Sequence, residues 1–177
     1  MIRKVSLSLC MIVTDEAKTL ERCLNSVKSF VSEIIIVDTG SVDSTKQIAK
    51  KFNAKIYDFK WINDFAAARN YAFSKATSDY IMWLDCDDFI LDEDIENISS
   101  LLKNMDDTYD YIDAQYVLAR NSAGEVTVSL RRNRIVKREK NFQWVGNVHE
   151  YLAVFGKKME GSFAIQHGKV KGYTDRS

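Results

Sequence analysis

The chain has 177 residues, enough for one domain with a real core, and its 25 basic residues balance its 25 acidic ones. A neutral chain carries no global field to recruit nucleic acid or an anionic membrane, and no apolar run approaches the roughly 18–20 residues of a transmembrane segment. Cys10, Cys23 and Cys86 are odd in number and widely spaced, which suits neither a disulfide framework nor a zinc site and places the chain in a reducing cytoplasm.

Arg3 and Lys4 precede an apolar run at 5–13, superficially like a secretion signal, but the run passes straight into Thr14-Asp15-Glu16 with no small-residue cleavage pattern. It reads as a buried first strand. Ala17, Leu20, Leu24, Val27 and Val31 recur at helical spacing and predict a helix to about residue 30. Residues 33–38 form a second short strand that ends on a carboxylate, Asp38. Thr39-Gly40-Ser41 is a tight loop, Asp43 is placed to cap the next helix, and Thr45, Ile48, Ala49 and Phe52 mark that helix's apolar face. Residues 54–59 read as the third strand. Asn63 or Asp64 caps a third helix, whose inner face is Phe65, Ala68, Ala72 and Ala76, and 79–84 is the fourth strand. Four strands alternating with three helices predict βαβ units in a doubly wound, mostly parallel sheet, an α/β fold of Rossmann-like character.

Asp92 opens a further helix with Ile95, Ile98, Leu101, Leu102 and Met105 on one side. The pattern then changes. Residues 109–120 and 125–136 read as two strands joined in a hairpin by Asn121-Ser122-Ala123-Gly124. Short strands at 142–148 and 151–155 and a last one at 163–167 complete a mixed, partly antiparallel C-terminal part.

The fourth strand, apolar from Tyr80 to Leu84, stops abruptly in Asp85, Asp87 and Asp88. Like charges ~6 Å apart repel by roughly 3 kcal/mol at an effective dielectric of 20, so a cation is expected among them. In open α/β sheets ligands bind just beyond the carboxyl ends of the strands. Asp85-Cys86-Asp87 is therefore a candidate Asp-x-Asp site for Mg²⁺ or Mn²⁺ with substrate phosphates. The plainer alternative is a solvated acidic turn capping the helix at Asp92. The first and second strands also end in polar residues, Thr14-Asp15-Glu16 and Asp38-Thr39, and their convergence on one edge points to a binding crevice. Arg131, Arg132, Arg134, Lys137, Arg138 and Lys140 read as a solvated strand edge, with Arg132 able to hold phosphate.

Several of these stretches together resemble the successive motifs of family 2 glycosyltransferases, which adopt the GT-A fold. They are Leu9-Cys10-Met11-Ile12-Val13-Thr14-Asp15-Glu16, Ile36-Val37-Asp38-Thr39-Gly40-Ser41-Val42-Asp43-Ser44-Thr45, Ala67-Ala68-Arg69-Asn70 and Trp83-Leu84-Asp85-Cys86-Asp87-Asp88. The second half is similar to a bacterial branch, through Arg131-Arg132-Asn133, Gly146-Asn147-Val148-His149-Glu150, and Ile165-Gln166-His167 followed by Gly172-Tyr173, where the gap is longer than in the branch's pattern. The resemblance implies a single GT-A domain, with residues 1–104 as the nucleotide-binding part and 105–177 as an acceptor-side part that is short for a whole acceptor site. It implies transfer, with inversion, from a nucleotide-diphosphate sugar, a UDP-sugar foremost, aided by Mg²⁺ or Mn²⁺. Thr14, Glu16 and Asp38 would then face base and ribose, and Arg69 would reach the base or diphosphate. Asp85 would meet the ribose or a metal-bound water, and Asp87 would ligate the metal. Glu150 is expected as the base, with His149 next in line, and His167 as an additional metal ligand. The expected location is cytoplasmic, at most peripheral to a membrane. Two other readings stand beside this one. A nucleotidyltransferase would want a Gly-rich basic loop after the first strand, where Thr14-Asp15-Glu16 is acidic. A non-catalytic nucleotide-sugar-binding module would keep the fold without the reaction.

Overall fold

A computed structural model describes residues 4–168, so Gly172-Tyr173 lies outside the described residues. The first half alternates as the apolar runs require: β1 (Leu7–Val13), α1 (Leu20–Val27), β2 (Glu33–Asp38), α2 (Thr45–Lys51), β3 (Lys55–Asp58), α3 (Phe65–Phe73) and β4 (Tyr80–Trp83). Then come a two-residue strand β5 (Asp88–Phe89), α4 (Asp92–Asn104), the hairpin β6 (Tyr111–Arg120) and β7 (Val126–Lys137), a 3₁₀ turn, β8 (Gln143–Val145), β9 (Tyr151–Ala153) and β10 (Lys158–His167).

The main sheet has the order β3-β2-β1-β4-β7-β6-β10-β5. β1 pairs in parallel with β2 and β4, and β2 with β3, because each connection is a helical crossover. β7 enters antiparallel between β4 and β6, while β10 pairs in parallel with β6. Six strands therefore point one way, β1, β2, β3, β4, β6 and β10, with β7 and β5 opposed. β8 and β9 form a separate antiparallel pair.

Strand alternation divides the core between the two faces of the sheet. Leu7, Leu9, Met11, Ile36, Tyr80 and Met82 pack under α1, α2 and α4, whereas Cys10, Ile35, Val37, Ile81 and Trp83 pack under α3 and the β8–β9 pair. At about 25 cal/mol per Å² of apolar area buried, this double-sided burial is the main force holding β1, β2 and β4 in register.

Several boundaries differ from the sequence expectation, each for a local reason. The first helix begins at Leu20, since the amides of Thr19 and Leu20 both turn back to the Glu16 carbonyl. Ser44 occupies the N-cap of α2, and Asp43 instead accepts from the amides of Thr45 at 2.9 Å and Ala17 at 3.1 Å. Asp64 does cap α3, accepting from the Ala67 amide at 2.9 Å. The last strand starts at Lys158, not 163, because its polar first half pairs with β6 up to an irregularity at Glu160/Ala164. There a side chain on Gly161 would collide with the Asp113 carbonyl. Among the described residues, no helix is long and apolar enough to cross a membrane.

Candidate active site

The carboxyl ends of the parallel strands deliver their side chains to one edge of the sheet. The loops after β1 and β2 are bolted together there. Asp15, at φ 53°, accepts from the amides of Val42 and Asp43. The Glu16 amide donates to Thr45 Oγ1 at 2.8 Å, and the hydroxyls of Thr14 and Thr39 meet. Glu16 Oε2 accepts from Thr19. Burial pushes the Glu16 carboxyl up, and the charges of Asp87, Asp43 and Asp85 push it further, so these loops do converge. Asp38 is at the predicted strand end, but its carboxylate is wholly covered. Oδ1 accepts from the amides of Gly40 at 3.0 Å and Ser41 at 2.9 Å, shaping the tight loop, while Oδ2 is buried with no partner.

Beyond β4 the chain turns through Asp85-Cys86-Asp87-Asp88. Arg69, on the buried face of α3, reaches Asp85 Oδ1 through Nη2 and Glu150 Oε1 through Nε, both at 2.8 Å. Its guanidinium lies 4.7 Å from the ring of Trp144 and 5.2 Å from that of Trp83. Arg69 is thereby a buried bridge between two candidate site carboxylates. Burial alone would raise the Asp85 carboxyl, but Arg69, Arg134 and Arg132 outweigh it and hold it below the usual carboxylate range. The next residue, Asn70, fastens the small sheet, donating to the Trp144 carbonyl at 3.0 Å and accepting from its amide at 2.8 Å. Neighbouring residues of one motif thus orient the acidic turn and the segment that carries Glu150. Arg69, Trp83, Asp85, Arg132, His149 and Glu150 line a cavity of about 440 Å³. His149 sits at φ 58°, a left-handed position directly before Glu150.

Asp87 falls outside that lining, on the other side of the turn. Its Oδ2 lies 3.4 Å from His167 Nδ1, at the end of β10. Asp87, Asp88 and His167 bring potential ligand atoms within 4.8 Å of one another, close enough that the group could hold a cation. The Asp87 carboxyl is pushed up by burial and by Asp88 and Asp85, with His167 opposing. Asp88 is differently occupied. Its Oδ2 accepts from Arg134 at 2.9 Å and from the Asp85 amide at 3.1 Å, and its Oδ1 accepts from the Tyr116 hydroxyl at 2.8 Å. It therefore anchors the turn.

One sequence expectation needs correction here: Arg134 is no part of a solvated edge. Its side chain is 0% exposed and ion-paired to Asp88. Arg138 is exposed as expected, while its Nε donates to the Ser78 carbonyl just before β4. Arg131 likewise lies at the surface, paired with Asp113.

A model of "Glycosyl transferase family 2" matches residues 8–157. A TPR repeat-containing protein of Synechococcus elongatus is 39% identical over 145 residues, which is 82% of this chain and 35% of that protein. The glycosyltransferase SunS of Bacillus subtilis is 39% identical over 95 residues, 52% of this chain and 22% of SunS. The chain thus spans about a third or less of the length of these relatives. Among solved structures, glucosyl-3-phosphoglycerate synthase from Mycobacterium tuberculosis, in complex with Mn²⁺, UDP and phosphoglyceric acid, superposes with a TM-score of 0.57. It is 16% identical, and the match covers 76% of this chain and 56% of that one. Residues 1–349 of TarS from S. aureus superpose with a TM-score of 0.50 at 20% identity, covering 70% of this chain and 38% of the other. Both likenesses establish the fold, which is GT-A.

Proposed function

The chain belongs to glycosyl transferase family 2, and on that footing we propose that it moves a sugar, with inversion, from a UDP-sugar bound across the strand ends to an acceptor hydroxyl, with Mg²⁺ or Mn²⁺. The observation that carries this reading is the turn after β4, where Asp85 faces Arg69 and Glu150 on one side and Asp87 faces His167 on the other. Residues 1–104 would bind the donor and 105–177 would serve the acceptor side, in a cytoplasmic chain at most peripheral to a membrane.

The residues present fit a divalent ion. Asp87 is partly open, crowded by like charges, and paired with an imidazole, so a cation would relieve its electrostatic cost. Carboxylate and imidazole together suit Mn²⁺ at least as well as Mg²⁺. When bound, the ion would neutralise the departing diphosphate. Thr14, Glu16 and Asp38 would face base and ribose. The buried, unpartnered Oδ2 of Asp38 is an acceptor whose cost a ligand N–H or O–H would offset, given a small movement of the 39–41 loop. Glu150 would take the acceptor proton. Arg69 engages Oε1 and orients the carboxylate, leaving Oε2 for the acceptor. His149 is the alternative base.

Calorimetric titration of UDP with and without Mn²⁺ tests the donor site, and hydrolysis of a panel of nucleotide sugars tests the donor's identity. Tighter UDP binding with Mn²⁺ is expected. Equal affinity in both conditions removes the role given to Asp87, and no UDP affinity in either removes the uridine donor.

A further inference from the structure

Two arginines of β7 stand near the acidic turn, and they are partnered differently. Arg134 is stacked between the rings of Trp83 and Tyr116, at 3.9 and 4.3 Å, and is ion-paired to Asp88 at 2.9 Å. Arg132 is exposed in the wall of the 440 Å³ cavity, its guanidinium 6.0 and 5.6 Å from the same two rings. Among the described residues it has no ion pair. Both carboxylates of the cavity wall, Asp85 and Glu150, are taken by Arg69. The strand beneath Arg132 is anchored on two sides. Trp83 Nε1 donates to the Asn133 carbonyl at 2.8 Å, and Asn133 Nδ2 donates to the Leu152 carbonyl at 3.2 Å. An unpaired guanidinium on a fixed strand is a ready anion contact, and its planar fork matches the oxygens of a phosphate.

Which phosphate it meets follows from the order of the strands. Base and ribose are assigned to the ends of β1 and β2, and the acidic turn follows β4. β7 is the next strand beyond, about 4.8 Å further along the sheet. Arg132 lies three residues before Ile135, and Asp85 lies three residues after Met82, the partner of Ile135, so the two stand about level at the sheet's edge. Against burial, the charges of Arg69, Arg134 and Arg132 hold the Asp85 carboxyl low, which likewise sets Arg132 beside the turn. A ligand laid from β2 across β1 and β4 therefore brings its distal end to Arg132. In a nucleoside diphosphate that end is the β-phosphate.

We infer that Arg132 binds the β-phosphate of the donor's diphosphate, as a fixed positive charge on the β7 side of the crevice. This rests on the reading of the crevice as a nucleotide-sugar site. In the transfer, the bond between the anomeric carbon and the β-phosphate oxygen breaks, and its electron pair stays on that oxygen. The acceptor oxygen bonds to the carbon and gives its proton to Glu150. Negative charge thus grows on the phosphate that Arg132 meets, so the contact strengthens as the diphosphate departs.

Calorimetric titration of UDP and of UMP, at fixed Mn²⁺ and with no acceptor present, tests the contact, since only UDP carries the β-phosphate. Arg132→Gln should weaken UDP binding by roughly tenfold and leave UMP within about twofold, so the preference for UDP narrows. Arg132→Lys, which keeps the charge without the fork, should fall between Arg132→Gln and the wild type. The penalty should persist in Asp87→Asn, because the guanidinium meets the phosphate directly and not through the cation. Arg132 is exposed and unpaired, so the fold should survive its replacement, and a partial loss of folded protein would affect both nucleotides alike. Equal losses for UDP and UMP overturn the assignment to the β-phosphate. So does an undiminished UDP affinity, and so does a penalty that disappears in Asp87→Asn. No affinity of the wild type for either nucleotide overturns the donor reading itself.

Discussion

Arg69→Met is the perturbation that most directly tests how the crevice is held. Methionine keeps much of the aliphatic bulk between Trp83 and Trp144 but removes the charge that joins Asp85 to Glu150. Two charge-assisted hydrogen bonds of 2.8 Å are lost, each worth about 1.5–3 kcal/mol when the partner stays buried. The partners are not fully buried: the side chains of Asp85 and Glu150 are 35% and 14% exposed, so water recovers part of the loss. Desolvation of the guanidinium, itself unfavourable, is also avoided. A net destabilisation of about 3 kcal/mol remains, below the upper end for an orphaned buried charge. For a chain of this size that corresponds to a fall in Tm of about 6–12 °C, measured by circular dichroism. Arg69→Lys keeps the charge but cannot span both carboxylates from one planar fork, and should fall between the two. In a Glu150→Gln background the Arg69→Met penalty should shrink, because one of the charges it would orphan is already gone. A melting point for Arg69→Met within about 2 °C of wild type would refute the bridge as a stabilising element.

Three further outcomes follow from the same geometry. Asp87→Asn should abolish the Mn²⁺ dependence of UDP binding in calorimetry, while the metal-free affinity stays near that of the wild type. Glu150→Gln should lower sugar transfer by roughly 10²–10⁴-fold with UDP binding retained, and wild-type turnover in that variant would move the base to His149. Glu33 gives a pH test remote from the site. Burial opposes its ionisation, but hydrogen bonds from Lys55, Ser8 and Thr77 outweigh it and hold the carboxyl at about 2 against a usual 4.5. A depressed folded value adds stability above the unfolded one, and that stability is lost as pH falls from about 4.5 through about 2. Glu33→Gln should therefore cost about 1–2 kcal/mol in urea unfolding at neutral pH, with the gap to wild type closing over that window.

The parts of the site legible in the sequence are those written locally. An apolar run that halts at a carboxylate reports both a buried strand and a polar strand end, which is how Asp38, Asp85 and Asp87 stand out. Arg134 and Tyr116 carry no such mark. Arg134 lies in a run of basic residues, and its partner Asp88 is 46 positions away, so no periodicity distinguishes it from the exposed Arg131. Tyr116 reads as an ordinary strand aromatic until β10 is placed beside β6. Asp38 shows the opposite limit: its position was readable, but the turn of its carboxylate toward the amides of Gly40 and Ser41 depends on the loop's own backbone.

The sheet order explains why residues from both halves of the chain meet at a single turn. β7 runs antiparallel to β4, with Met82 opposite Ile135, so the residues just before Ile135 lie beside the chain as it leaves β4. That register sets Arg134 against the Trp83 carbonyl and Asp88, and sets Arg132 in the wall of the crevice. β6 and β10, parallel to β4, then bring their own carboxyl ends to the same edge, carrying Tyr116 and His167. A fifth parallel strand alone, delivered by another helical crossover, would bring only its own carboxyl end to this edge. The inserted antiparallel strand supplies Arg132 and Arg134 from its second half instead, and it does so on the side where three carboxylates would otherwise repel one another. Arg134 neutralises Asp88, Arg69 neutralises Asp85, and Asp87 is the carboxylate of the turn that no arginine pairs among the described residues. The turn thus leaves one carboxylate without an arginine, beside an imidazole, and that is why the proposed metal site falls on Asp87 ahead of its two neighbours.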